Sequence, residues 1–196
     1  MSMDDVTKFT TAIEQNPEDI AAWLGRAASY YEQGYFQQAL EDYDHVIGLV
    51  NKLKANSLMA AGDLQGALDV FTQAIALNPN DAASYLTRGI ALSSMGNNQQ
   101  AVDDFNAALG LNPNDAAAYH NRGIAFAALG DYAQAIADYD AALAINPNDA
   151  MVYHNKGIAY KQAGDYQQFI EAFKIAAQLG FEQAQKFLND AGIAWQ

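Results

Sequence analysis

The chain has 196 residues, 51% of them hydrophobic and 17% charged, with a formal net charge of −13 at pH 7. That balance repels nucleic-acid backbones and anionic lipid surfaces, and it fits a solvated acidic surface or a basic partner. No cysteine is present, which excludes disulfides, thiol catalysis and thiolate metal sites.

Asn-Pro-Asn-Asp-Ala recurs at Asn78, Asn112 and Asn146, a constant step of 34 (112 − 78 and 146 − 112). A fixed period of that size marks a repeat array, in which units too small to bury their own apolar faces stack on one another. In chain order, residues 1–19 read as a leading half-repeat, because Asp5, Phe9, Ala12 and Pro17 match the second half of a unit and Asp4–Gln15 forms one helix. Residues 20–47 are unit 1, carrying Trp23, Arg26, Tyr30, Gly34, Ala39 and Tyr43. Residues 48–81 are unit 2, carrying Ala55, Leu58, Gly62-Asp63, Ala67, Phe71, Ala74 and Pro79.

Unit 2 is shortened at its start. The step from Gly34 to Gly62 is only 28 (62 − 34), six short of the common step, and the loss falls in Gly48–Leu53. The expectation is that Gly48 ends one helix and Asn51 caps a shortened next one. The alternative is one helix over Phe36–Ala61, which Gly48 opposes by only about 1 kcal/mol. That helix would leave apolar faces open to another chain, as in a domain swap.

Residues 82–115, 116–149 and 150–180 are units 3, 4 and 5. In each an aromatic comes early (Tyr85, Tyr119, Tyr153), followed by Arg88-Gly89, Arg122-Gly123 or Lys156-Gly157. A large apolar residue follows (Leu92, Phe126, Tyr160), then a break at Gly96-Asn97, Gly130-Asp131 or Gly164-Asp165. Beyond the break come Ala101 and Phe105, Ala135 and Tyr139, or Phe169 and Phe173. Apolar residues three and four apart on both sides of the break predict two amphipathic helices. Gly ends the first, Asp or Asn caps the second, and Pro stops it. Phe169 stands where a small alanine is expected at the helix crossing, so the last hairpin is expected to splay or shift. Residues 181–196 are a capping helix, over Phe181–Asn189, and a tail.

This set of residues resembles the tetratricopeptide repeat (TPR) family, because period, glycines, alanines, aromatics and proline match together in three consecutive units. Ala176–Gln185 also resembles the start of a Sel1-like repeat. The TPR resemblance implies an all-α fold, a single right-handed α-solenoid of antiparallel helix pairs whose first helices line a concave groove. It also implies protein or peptide binding without catalysis. Some members clamp a C-terminal carboxylate. Here Asn121 and Asn155 match that clamp, but Leu86, Thr87, Ala117 and His120 fill its cationic places, so that ligand is not expected.

The groove residues so implied are Leu86, Ile90, Ile124 and Ile158, which would exclude water from an apolar ligand, with His120, Asn121, His154 and Asn155 to orient its backbone. An Arg and an Asp recur at one fixed separation, 16 in the numbering (42 − 26, 104 − 88 and 138 − 122), as Arg26 with Asp42, Arg88 with Asp104 and Arg122 with Asp138. That spacing sets one partner on each helix of a hairpin and reads as a structural ion pair. Where Lys replaces Arg, the pairs would be Lys54 with Asp69 and Lys156 with Glu171. No enzyme motif is present, and no third ligand recurs beside His120 and His154, so neither enzyme activity, cofactor nor metal is expected. The start lacks a signal peptide and no run of about 18 apolar residues occurs, which predicts a cytoplasmic chain without membrane insertion. Two functions remain: an adaptor that binds a peptide or amphipathic helix, as monomer or homodimer, or a self-associating scaffold formed through 48–53.

Overall fold

Helix ends decide where this chain turns, and the same chemistry ends nearly every helix of the computed structural model, which describes residues 3–195. Asp19, Asp81, Asp115 and Asp149 each stand at an N-cap and accept a backbone N–H from the first turn. Asp63, Asp131 and Asp165 do the same after the glycine breaks. Such a cap supplies a partner to an otherwise orphaned donor and contributes about 1 kcal/mol. Gly130, at φ +84°, makes the left-handed turn that a side chain would resist.

Eleven helices and no strand result among the described residues: α1 (Met3–Gln15), α2 (Ile20–Glu32), α3 (Phe36–Ala60), α4 (Leu64–Leu77), α5 (Ala82–Ser94), α6 (Asn98–Leu111), α7 (Ala116–Ala128), α8 (Tyr132–Ile145), α9 (Ala150–Gln162), α10 (Tyr166–Gln178) and α11 (Glu182–Asp190). The chain divides into two compact units, Met1–Asn80 and Asp81–Gln196. Inside each, helices adjacent in sequence pack as antiparallel neighbours.

In the second unit the hairpins are α5/α6, α7/α8 and α9/α10, with α11 packed on α10. Each closes where a glycine on the first helix meets an aromatic ring on the second. A methyl group on Gly89 would lie 2.6 Å from Phe105, on Gly123 2.7 Å from Tyr139, and on Gly157 2.6 Å from Phe173. The last distance corrects the expected splaying: α9 and α10 approach as closely as the other pairs at this point. The Phe169 ring packs instead on Phe173 and Phe187, at 4.5 and 5.2 Å between centroids. Helix α11 accommodates the extra volume.

Three two-pronged ion pairs join paired helices, two of them beside the contacts at Gly89 and Gly123. Arg26 donates to Asp42 at 2.9 and 2.8 Å, Arg88 to Asp104 at 2.7 and 2.7 Å, and Arg122 to Asp138 at 2.7 and 2.6 Å. The three carboxylates are buried, and their hydrogen bonds push each guanidinium pKa upward despite partial burial. Arg122 also donates to Asn106 at 2.6 Å, which ties α7 back to α6. The lysine pairs form differently. Lys156 reaches Asp140 on α8 instead of Glu171, and Glu171 pairs with Lys174 on its own helix. Lys54 is exposed, and Asp69 accepts from Gln65. A lysine lacks the planar fork of arginine, so it takes whichever acid is nearest.

The first unit departs from the expected tight turn at Gly48. Phe36–Ala60 is one helix of 25 residues, about 37 Å long at 1.5 Å per residue. Gly48 has no left-handed φ, unlike Gly34 and Gly62 on either side. No proline stops the helix there, and the cost of one internal glycine is too small to break it. One helix therefore serves two neighbours. Ala39, Asp42 and Val46 are buried in the half that packs on α2, whereas Ala55 is buried against Ala67, Val70 and Phe71 of α4. Val46 and Ala55 are nine residues apart, about two and a half turns, so the two halves bury opposite faces.

A methyl on Gly48 meets nothing within 4 Å, so Gly48→Ala is expected to raise the urea stability by about 1 kcal/mol; a loss of stability would mean that the chain bends there. Arg122→Ala, which strands the buried Asp138 carboxylate, is expected to cost about 1–3 kcal/mol in the same assay. Lys156→Ala, whose partner is exposed, should stay within about 0.5 kcal/mol.

Candidate functional site

In the second unit, α5 touches α7 and α7 touches α9. Between α7, α8 and α9 lies an open groove of about 450 Å³. Ile124 and Ile158 form its apolar wall, Asn155 and Gln162 bring side-chain amides, and Ala127, Ala159, Tyr132 and Tyr139 complete the lining.

Of the eight residues expected to line the groove, the structure brings Ile124, Asn155 and Ile158 to it. His120 joins through Asn155, whose Nδ2 donates to His120 Nε2 at 2.8 Å. The same amide's Oδ1 accepts from His154 Nδ1 at 3.3 Å. Asn155 therefore bridges the two histidines. His154 is held away from the opening by Phe173 and Phe181, with ring centroids 5.0 and 4.6 Å distant. Asn121 turns back on its own helix and donates to the Ala117 carbonyl at 2.8 Å. Leu86 packs on the core formed by Ala108, Leu109 and Ala118, and Ile90 is half-buried.

Tyr132, Tyr139, Ala159 and Gln162 were not among the expected residues. Tyr132 and Tyr139 belong to the second helix, and periodicity alone assigns Tyr139 to the hairpin interior. A ring that fills the space above Gly123 presents one edge to the core and another to the groove. Residue spacing could have found Ala159, which lies one turn after Asn155 on the same face of α9.

The electrostatics keep both histidines neutral. Burial pushes the His120 pKa down, partly opposed by the Asp149 charge, and burial pushes His154 down, partly opposed by its bond to Asn155. Burial, reinforced by the Asp138 charge, pushes the Tyr139 hydroxyl pKa far up, so it stays protonated. Among the described residues no group of three or more His, Cys, Asp or Glu side chains is placed to hold a metal ion. No described helix is long and apolar enough to cross a membrane. The groove offers apolar contact and neutral hydrogen-bonding groups.

Helical hairpins repeated at a constant period, closed by glycine and arginine–aspartate contacts and leaving a groove among their first helices, define a helical-repeat interaction protein. Sequence profiles of the tetratricopeptide repeat match residues 6–50 and 86–150, and further ones match 55–96 and 138–168. The chain belongs to the tetratricopeptide repeat family, whose members are protein-interaction modules and typically non-enzymatic. A comparison with curated proteins found no match.

Solved structures share the fold. MamA from Desulfovibrio magneticus RS-1 is 19% identical, with 84% of this chain and 96% of that one covered and a TM-score of 0.65. YrrB, described as a TPR protein with an unusual peptide-binding site, is 22% identical over 88% of this chain and 92% of its own, with a TM-score of 0.63. The Arabidopsis OM64 TPR domain is 29% identical over 58% of this chain and 94% of its own, with a TM-score of 0.57.

Because the folded chain depresses both histidine pKa values, the unfolded state binds more protons as pH falls through about 6.5. Their stability contribution is present above that pH and lost below it, as the rings protonate and Asn155 loses its acceptor on His120. The urea midpoint is expected to fall between pH 7 and 5.5, less so in His120→Gln, and an NMR titration should place both histidines below 6.5. Either of these two titrating above that value would contradict the desolvated, neutral rings.

Proposed function

We propose that the chain is a non-enzymatic adaptor that holds an apolar or amphipathic segment of a partner protein in the α7–α8–α9 groove. The observation supporting this is the pair Ile124 and Ile158, repeat-equivalent residues that are 36% and 38% exposed. Both flank the same opening. Aliphatic side chains at matched positions of successive hairpins give a ladder that fits the apolar positions of a bound helix or strand. Asn155 and Gln162 supply amides for the ligand backbone. His120 holds Asn155 in place, whereas Asn121, His154 and Leu86 support the wall without facing the ligand. Ile90 extends the same face onto α5.

The description of YrrB as peptide-binding favours this use of the fold. The proposed setting is the cytoplasm, with no cofactor. Nucleic acid is a poor partner for a chain of net charge −13.

The test is selection from a phage library of helical peptides against the purified chain. Bound peptides are expected to carry apolar residues three and four apart. Ile124→Asp/Ile158→Asp should weaken their capture at least about tenfold while leaving the helical circular dichroism unchanged. Equal capture by the folded double variant would overturn this site.

A further inference from the structure

The straight helix α3 leaves two faces of one repeat junction without their partners. In the second unit, the end of one hairpin packs on the start of the next through matched residues. Leu109 and Ala118 share one buried cluster, and Leu143 and Val152 share another, against which Ile136 also packs and which includes Ala159. Counted from the hairpin glycines, Ile47 is equivalent to Leu109 and Leu143, and Val50 to Ala118 and Val152. By the same count, Leu40 is equivalent to Ile136, and Ser57 to Ala159.

The exposures separate the two cases. Leu109, Leu143, Ala118 and Val152 are 7%, 8%, 0% and 2% exposed, whereas Ile47 is 45% and Val50 47% exposed. Leu40 is 55% exposed, and Ser57 is exposed where Ala159 is buried. The cause is the missing linker. Leu109 and Ala118 are nine residues apart (118 − 109), Ile47 and Val50 only three (50 − 47), and the difference is the six residues lost at the junction. On a straight helix the two halves of the junction lie end to end and cannot fold back on each other.

Leu40, Ile47, Val50 and Ser57 fall within about 100° of one another around the helix, between the face covered by α2 and the face covered by α4. We propose that this stripe is the docking surface for a second copy of the same chain, running antiparallel. In that arrangement Ile47 meets Val50 of the other copy and Leu40 meets its Ser57. Both contacts fit one register, since 47 + 50 and 40 + 57 are both 97. Each copy thus restores the junction that the other lacks, and a two-fold axis near Gly48 makes the interface self-complementary. The charges agree, because exposed Lys54 then faces Tyr43 of the other copy and lies beside its Asp44. A shortened hinge is also the circumstance that favours exchange of elements between copies. This surface is distinct from the α7–α8–α9 groove, so either proposal can fail without the other.

The absence of cysteine allows a direct test on the full chain. Sedimentation is expected to give a species of twice the 21.2 kDa chain mass. Ile47→Glu, on an exposed position, should weaken the dimer about 100-fold or more with helical circular dichroism unchanged. Leu40→Cys/Ser57→Cys should form a covalent dimer under mild oxidation, because those positions are about 25 Å apart on one helix and cannot bridge within a copy. Either cysteine alone should not crosslink. A wild-type chain that stays at the monomer mass overturns the proposal. So does a dimer that survives Ile47→Glu, or one that Leu40→Cys alone crosslinks, since that reports a parallel pair.

Discussion

The hairpins of the second unit depend on a side chain that is absent. At Gly89, Gly123 and Gly157 the ring of Phe105, Tyr139 or Phe173 fills the volume a β carbon would need. The two helices can therefore close to ring-on-backbone contact, and dispersion over that flat contact is gained without a cavity. The residue before the first two glycines is Arg88 or Arg122, and the residue before the matching ring is Asp104 or Asp138. One crossing point thus carries an apolar contact and a two-pronged ion pair side by side. The ion pair fixes the rotation of one helix against the other, and the glycine fixes their separation. Both devices act on α7/α8, whereas α9/α10 keeps the glycine contact and replaces the two-pronged pair with a Lys156–Asp140 bond to α8.

That constraint explains which parts of the structure were legible in the sequence. Caps, glycine turns and proline stops act within a few residues, so the hairpins and their ends could be read directly. Gly48 could not be read the same way. A glycine favours a helix end only when its successors support a turn, and Gly48 is succeeded by Leu-Val-Asn-Lys-Leu rather than by an aspartate cap or a proline. The difference between bending and continuing is of the order of one glycine, about 1 kcal/mol, and contacts with α2 and α4 decide it. The groove shows the same division. Ile124 and Ile158 are predictable from helical phase, but His154 is captured by Phe181, which lies outside the repeat. Asn121 and Asn155 occupy equivalent positions with different fates, because only Asn155 has a histidine on the preceding first helix within reach.

The acidic balance takes on a different meaning once the carboxylates are located. Asp19, Asp63, Asp81, Asp115, Asp131, Asp149 and Asp165 cap helices, and Asp42, Asp104 and Asp138 hold arginines. Ten of the 23 acidic residues therefore have structural work. A repeat protein multiplies each such device by its number of units, so charge accumulates without any field designed for a cationic ligand. The neutral groove agrees with this: its polar groups are amides and tyrosine hydroxyls, backed by a half-buried uncharged imidazole.

Groove and stripe expose apolar surface for opposite reasons. Ile124 and Ile158 are open although their hairpins are regular and every junction around them is complete, so their exposure belongs to the repeat itself. Leu40, Ile47 and Val50 are open because a junction is incomplete, and their buried equivalents elsewhere in the chain identify what should cover them. An apolar ladder on an intact repeat accepts any segment of matching spacing and selects weakly among partners. A half-junction selects strongly, because its complement is a particular set of side chains in a particular order. The chain itself carries that set, a few residues further along the same helix.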